Sequence, residues 1–235
     1  ASIDSPSQVT LSADNGAVSA GTDIGYQSIN GDTAASSTQG YAFDPSQDFI
    51  LSVGFDLDFG GGPDVGELAI GFGVGEDADG MNSAGVTLYT LNGAGAAIPS
   101  LGPYFGAARI NDTDQLPVDI TDLADLSGRM FVRYTASSGA VEFSLADNPA
   151  AAVPDFAYVG YPNLQPQWQG DYLFASLFLR SDDRVVAPWT SGGADAIFSD
   201  FRVEAGSAID VNEIPEPTSL ALLASAGLGL IRRRR

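Results

Sequence analysis

Apolar residues recur at every second position through much of this chain. In FILSVGFDLDF, Phe49, Leu51, Val53, Phe55, Leu57 and Phe59 fall on one face, and Ile50, Ser52, Gly54, Asp56 and Asp58 on the other. A period of two is that of a strand, whose side chains alternate between faces. Gly60-Gly61-Gly62-Pro63-Asp64 ends it. ELAIGFGVG follows, with Leu68, Ile70, Phe72 and Val74 on one face and Ala69, Gly71, Gly73 and Gly75 on the other. A glycine-lined face implies close approach by another backbone or by a ligand. Tight sheet packing is the reading it favours.

The same pattern continues downstream. MFVRYTASSGAVEFSL predicts a hairpin that matches Met130, Val132 and Tyr134 with Val141, Phe143 and Leu145. Its turn is Ser137-Ser138-Gly139, where Gly can supply a positive φ. YLFASLFLRS places Leu173, Ala175, Leu177 and Leu179 on one face and Tyr172, Phe174 and Phe178 on the other, as a central strand requires. VTLYTL is a further strand, and IFSDFRVEA is the last, with Ile197, Phe201 and Val203 inward. Helical periodicity is confined to a single turn near Ile120–Leu126. Many strands without a fixed repeat predict an all-β fold, a two-sheet jelly-roll β-sandwich over residues 1–206.

Composition narrows the chemistry. The chain has 235 residues, 44% hydrophobic, which suffices for one large core. It contains neither Cys nor His, so disulfides, thiolate or imidazole metal sites and His-dependent triads are excluded. Its bases are all Arg, and the last four residues hold four of the ten. Set those aside, and residues 1–231 carry six arginines against thirty acids, a charge of −24. Such a field repels nucleic acid and anionic lipid and attracts divalent cations. The amino end, ASIDSPSQVT, is polar from its first residue and begins without Met, as expected of a mature form whose secretory signal has been removed.

The carboxyl end is of a different kind. After a linker at 207–213, residues 214–235 read IPEPTSLALLASAGLGLIRRRR. The apolar run from Ser219 to Ile231 would span roughly 20 Å as a helix, short of the roughly 30 Å hydrocarbon core. The arginines would hold it on the cytoplasmic side. Pro215, Glu216 and Pro217, then a short Leu/Ala/Gly helix, then Arg232, Arg233, Arg234 and Arg235, resemble the PEP-CTERM sorting signal of bacteria. The resemblance implies an exported envelope protein, transient retention at the inner membrane, and removal of the tail by an exosortase. It also implies a final place at the cell surface or in the extracellular matrix. Upstream, FILSVGFDLDF, GELAIGFGVGEDADG, RMFVRYTASSGAVEFSL and AIFSDFRVEAG follow one another in an order similar to concanavalin-type lectin and laminin-G-like sandwiches.

Three groups of residues are candidates for chemistry. Glu76, Asp77, Asp79 and Asn82 form an oxygen-rich loop of the kind Ca²⁺ prefers, although the spacing is not that of an EF-hand and Val86 stands where a bidentate Glu would be. Asn111-Asp112-Thr113-Asp114, with Asp119, Asp122 and Asp125, is a second acidic cluster. Tyr161 and Trp168, in YVGYPNLQPQWQGDY, together with Trp189, could stack on a sugar, or else the Trp rings plug the sandwich ends. The six Glu residues do not form the strand-borne Glu-x-Asp-x-Glu pattern of glycosidases on this kind of sandwich. The leading expectation is a non-catalytic surface protein that contacts extracellular polysaccharide or envelope partners. An enzyme with an unrecognised carboxylate pair, or a purely structural spacer, are the alternatives.

Overall fold

A computed structural model describes residues 2–5, 8–13, 23–58, 66–92, 104–121, 123, 126–168, 170–181 and 194–214. The first half of the chain forms β1 (Ser2–Ser5), β2 (Gln8–Ala13), β3 (Asp23–Gln27), β4 (Tyr41–Ala42), β5 (Phe49–Asp58), β6 (Gly66–Gly75), β7 (Ser83–Asn92) and β8 (Tyr104–Ile110). The second half forms β9 (Thr113–Asp114), β10 (Val118–Asp119), β11 (Ser127–Thr135), β12 (Ala140–Ala146), β13 (Val159–Tyr161), β14 (Phe174–Ser181), β15 (Ala194–Ala205) and β16 (Ile209–Asp210). One antiparallel sheet runs β1-β2-β15-β5-β11-β12-β13. The other runs β10-β8-β7-β6-β14-β3, with β9 on β8. Neighbours that are distant in sequence, such as β15 beside β5 and β14 beside β6, give the two-sheet jelly-roll sandwich that the strand pattern predicts.

The core lies between the sheets. Phe49, Leu51, Val53, Phe55 and Leu57 from β5 meet Ile70, Phe72 and Val74 from β6 and Leu177 and Leu179 from β14. The hairpin has the predicted register, with Met130 opposite Leu145, Val132 opposite Phe143 and Tyr134 opposite Val141. Gly139 takes φ +60° in its turn. The turn expected near Ile120–Leu126 is not helical among the described residues.

β15 departs from the simple alternation. Ala196 and Phe198, rather than Ile197, are buried against β5. A β-bulge between Ser199 and Arg202 then shifts the phase by one, with Asp200 at φ +51°. Beyond the bulge Phe201 and Val203 do turn to the inner side, and Phe201 meets the edge of Phe72 at 6.1 Å between centroids. Phe201 nevertheless stays 44% exposed.

The bulge is anchored by Arg129, which is fully buried on the outer face of β11. Its Nε donates to the Pro149 carbonyl at 2.8 Å and its Nη1 to Ser52 Oγ at 2.7 Å. Nη2 reaches Asp200 Oδ2 at 2.6 Å, and both Nη atoms reach the Asp200 carbonyl. Ser52, assigned by periodicity to a polar outer face, is buried and donates to Glu204 Oε1 at 2.6 Å. A buried guanidinium is tolerated because these acceptors replace its water.

The end of the body is also docked. β16 pairs with β4, and Asp210 caps a 3-10 turn at Val211–Glu213. Val211 is 4% exposed, in a small cluster with Ile29, Ala34, Ala42 and Phe174, against which Ile214 packs. Residues 207–213, expected as a free linker, therefore include a strand and a buried anchor. A chain ending at Ile214 is expected to melt higher than one ending at Gly206. The lost burial of Val211 and Ile214 is worth roughly 2 kcal/mol, or about 4–8 °C for a protein of this size. Equal melting temperatures by calorimetry would refute the anchor.

A second expectation concerns acid. A hydrogen bond from Arg202, with the nearby Arg129, holds the Asp200 carboxyl below its usual range. A depressed carboxyl contributes stability above its unfolded pKa of about 3.9, and that stability is lost as pH falls through the folded value. Asp200→Asn should lower the melting temperature at pH 7, and the gap from wild type should close below about pH 4. Asn accepts the left-handed backbone, whereas Asp200→Ala adds roughly 1 kcal/mol of strain and should melt lower still at both pH values. A gap that does not change with pH would show that charge plays no part.

Candidate functional site

The outer face of the second sheet carries an open trough of about 750 Å³. Strand register builds it in rows that run across the strands. One row joins Phe105, Thr87, Gly71, Phe178 and Gly25. The next joins Ala107, Gly85, Gly73, Ser176 and Gln27, and a third joins Arg109, Ser83, Gly75 and Phe174. The middle row is low because its residues are small, and the bulkier rows flank it as walls. From Ala107 to Ser176 it crosses three strand spacings, about 14 Å.

The glycines are demanded by close contacts. A Cβ on Gly73 would come within 2.4 Å of the Ala84 carbonyl oxygen, and one on Gly85 within 2.8 Å of that of Phe72. A Cβ on Gly71 would come within 2.3 Å of the Phe178 ring. The Phe178 ring therefore lies against Gly71 at the trough wall. The close approach by another backbone that the glycine face implies is present within the sheet. The face looks outward, and the close approach is between neighbouring strands and by the Phe178 ring. In β14, likewise, the second apolar face contributes Phe178 to the trough and Phe174 to its end, where the cluster of Ile29, Ala34, Ala42 and Val211 also covers Phe174.

Polar groups are few on the walls. Thr87 is 3% exposed, and its hydroxyl has no side-chain partner among the described residues. Gln27 donates to the Ala78 carbonyl at 3.0 Å, which leaves its own amide oxygen facing the trough end. Tyr26 and Gln115 stand on the rim. Arg109 is held by Asp112 at 2.6 Å and by Asp114 at 3.0 Å. These are the site residues that the sequence reading missed. The signal available for them was the pairing of a glycine face in β6 with an aromatic face in β14.

The residues singled out from the sequence fall elsewhere. Trp168 is 2% exposed and donates from Nε1 to the Arg109 carbonyl at 3.0 Å. It closes the core, so its ring offers no face to a sugar, which corrects its assignment as a stacking residue. Tyr161 is half-buried with its ring edge-on to Phe143, and its hydroxyl lies 2.9 Å from the Gly106 carbonyl and 3.0 Å from that of Leu116. Burial pushes that phenol up to about 12. Trp189 lies outside the described residues, as do Pro215, Glu216, Pro217 and Arg232–Arg235.

The acidic loop forms one rim of the trough. Asp77 accepts the Met81 amide at 2.7 Å and the Asn82 amide at 2.9 Å. Asn82 donates to Glu76 Oε1 at 2.9 Å and accepts the Asn111 amide at 2.7 Å. Glu76 also accepts the Gly170 amide and is buried. The oxygens expected to ligate Ca²⁺ thus hold the loop together, and only Asp79 of that set is exposed. Among the described residues no group of His, Cys, Asp or Glu is placed to hold a metal ion. Of the second acidic cluster, Asn111 and Asp112 form a turn at positive φ tied by Arg109, Asp119 lies on β10, and Asp122 and Asp125 lie outside the described residues.

The architecture defines the class: an all-β, two-sheet jelly-roll sandwich with a depression on one outer face. Residues 213–235 match the PEP-CTERM protein-sorting motif, a signal that implies export and sorting at the membrane. Among the described residues no helix is long and apolar enough to cross a membrane. No curated protein matches the chain. Among solved structures, a functionally unknown protein from Saccharomyces cerevisiae aligns at TM-score 0.48 and 12% identity, over 87% of this chain and 91% of its own. A β-glucanase catalytic domain from Podospora anserina aligns at 0.44 and 15%, over 87% and 74%. Winged bean acidic lectin, complexed with methyl-α-D-galactose, aligns at 0.42 and 10%, over 85% and 94%.

Two substitutions separate core from trough. Trp168→Ala should cost about 3–5 kcal/mol of stability, as large-to-small core changes do. Ser176→Trp places a ring on the trough floor from a position whose side chain already points outward, and should leave the melting temperature within a few degrees of wild type. Similar unfolding curves for wild type and Trp168→Ala would contradict the core assignment.

Proposed function

We propose that this is a non-catalytic, exported surface or matrix protein that binds extracellular polysaccharide in the trough of the second sheet. Processing by an exosortase and release of the tail belong to the same reading, with the sorting signal beginning just beyond the Ile214 anchor. The observation that carries the proposal is the Phe178 ring packed against Gly71 beside a small-residue floor. A pyranose ring presents C–H groups on its faces and hydroxyls at its edge. An aromatic platform serves the first, and Thr87, Gln27 and Gln115 serve the second. The non-catalytic part rests on the rows of the trough. Among the described residues they carry no carboxylate, and on the rim Asp77 and Asp114 are already engaged.

The test is titration of the full-length chain, in mild detergent, with a panel of bacterial exopolysaccharides and oligosaccharides. At least one should bind, and Phe178→Ala and Ser176→Trp should each weaken it tenfold or more. This corresponds to the roughly 1–3 kcal/mol that a stacked ring contributes in nucleic-acid sites. Release of new reducing ends would establish an enzyme instead. Binding untouched by both substitutions would move the site off the trough.

A further inference from the structure

Resting on that reading, we infer that the trough selects an uncharged polysaccharide and rejects polyuronates. Among the described residues that line it, Arg109 is the sole cation. Its guanidinium is spent on Asp112 and Asp114 and offers no free fork to a carboxylate ligand. Three carboxylates line the same depression: Asp77, Asp79 and Asp114. Asp77 and Asp114 are neutralised in part by their partners, while Asp79 stands exposed on the rim. Around this lies a chain whose residues 1–231 carry −24. An anionic polymer entering the trough meets a net negative lining and no free donor of positive charge.

What faces the ligand at close range is neutral. Phe105 and Phe178 form one wall, Thr87 stands between them, and Ala107, Gly85, Gly73 and Ser176 make the floor. These groups recognise C–H faces and hydroxyls, which every uncharged hexose provides. An amino-sugar polymer would be drawn to the acidic surface at low salt, so its place in the trough is read at about 1 M salt, where that attraction is screened. The floor row runs across the strands, so the chain should lie across them as well.

The experiment compares three polymers on the full-length chain with a chelator present: a neutral β-glucan oligomer, an alginate or polygalacturonate oligomer of similar length, and a chitosan oligomer. Each is titrated at about 10 mM and at about 1 M salt, where the screening length is about 30 Å and about 3 Å. The neutral oligomer should bind with less than threefold change between the two salts, and Phe178→Ala should abolish that binding. The uronate should fail to bind at low salt, and Asp79→Lys should move the uronate-to-neutral affinity ratio by tenfold or more toward the uronate. Uronate binding at low salt that Phe178→Ala removes would overturn the charge selection while leaving a glycan trough in place. A chitosan oligomer that displaces the neutral chain from the trough at about 1 M salt would overturn it equally. Should none of the three bind, the glycan reading itself falls and this inference with it. Each titration is repeated with Ca²⁺ in place of chelator, and uronate bound only then would show cation bridging and also count against the inference.

Discussion

Antiparallel strands project alternate side chains to opposite faces, so two sheets that share one core still have two outer faces to settle. That constraint organises this protein. The inner faces of β5, β6, β11 and β14 are apolar and meet each other, which leaves the outer faces to be sealed or left open. On the first sheet the segment carrying Pro149 and the bulge at Asp200 close over Arg129, which supplies polar bonds to both. On the second sheet the outer row at Gly73 and Gly85 stays open to solvent along its length. One face is locked by a buried cation, and the other is bare enough to receive a ligand.

The bare face has an energetic cost. A glycine in a strand interior is worth about 0.5–1 kcal/mol less than alanine, and β6 alone places Gly71, Gly73 and Gly75 on this face. The contacts around them explain why alanine would be worse. Backbone atoms of β7 lie where the Gly73 Cβ would sit, backbone atoms of β6 where that of Gly85 would, and the Phe178 ring where that of Gly71 would. The glycines thus make room for the neighbouring strand and for the Phe178 ring, which packs against Gly71 and lines the trough.

Most of the fold was legible in the sequence because burial of one strand face leaves a period-two trace. The phases of β5, β6, β11, β12 and β14 follow it. Where the reading failed, the cause was a feature without periodicity. The bulge at Asp200 adds one residue to β15 and turns Ile197 outward in favour of Phe198. Ser52 looked like a solvated residue because its partner Arg129 is far away in sequence. Trp168 looked like a surface ring because its loop is polar, while the bond to the Arg109 carbonyl that seats it is a long-range fact. The acidic loop resembled a cation site by composition, yet composition does not show that Asp77 spends both oxygens on its own turn. The trough needed two strands read together, since neither the glycine face of β6 nor the aromatic face of β14 states its purpose alone.

The anchor at the end of the body ties delivery to binding. Val211 is buried against Ile29 and Phe174, and these two residues also line the trough. The pairing of β16 with β4 holds Val211 there, one turn before the segment that carries the sorting motif begins. Pulling residues 209–214 away from the body would expose the back of Phe174 and loosen the wall on which the third row of the trough stands. A cut beyond Ile214 leaves that wall intact, whereas a cut at Gly206 removes its support. The physical boundary of the folded body therefore falls after Ile214, close to the Pro-Glu-Pro motif, with little slack in sequence between that body and the sorting signal.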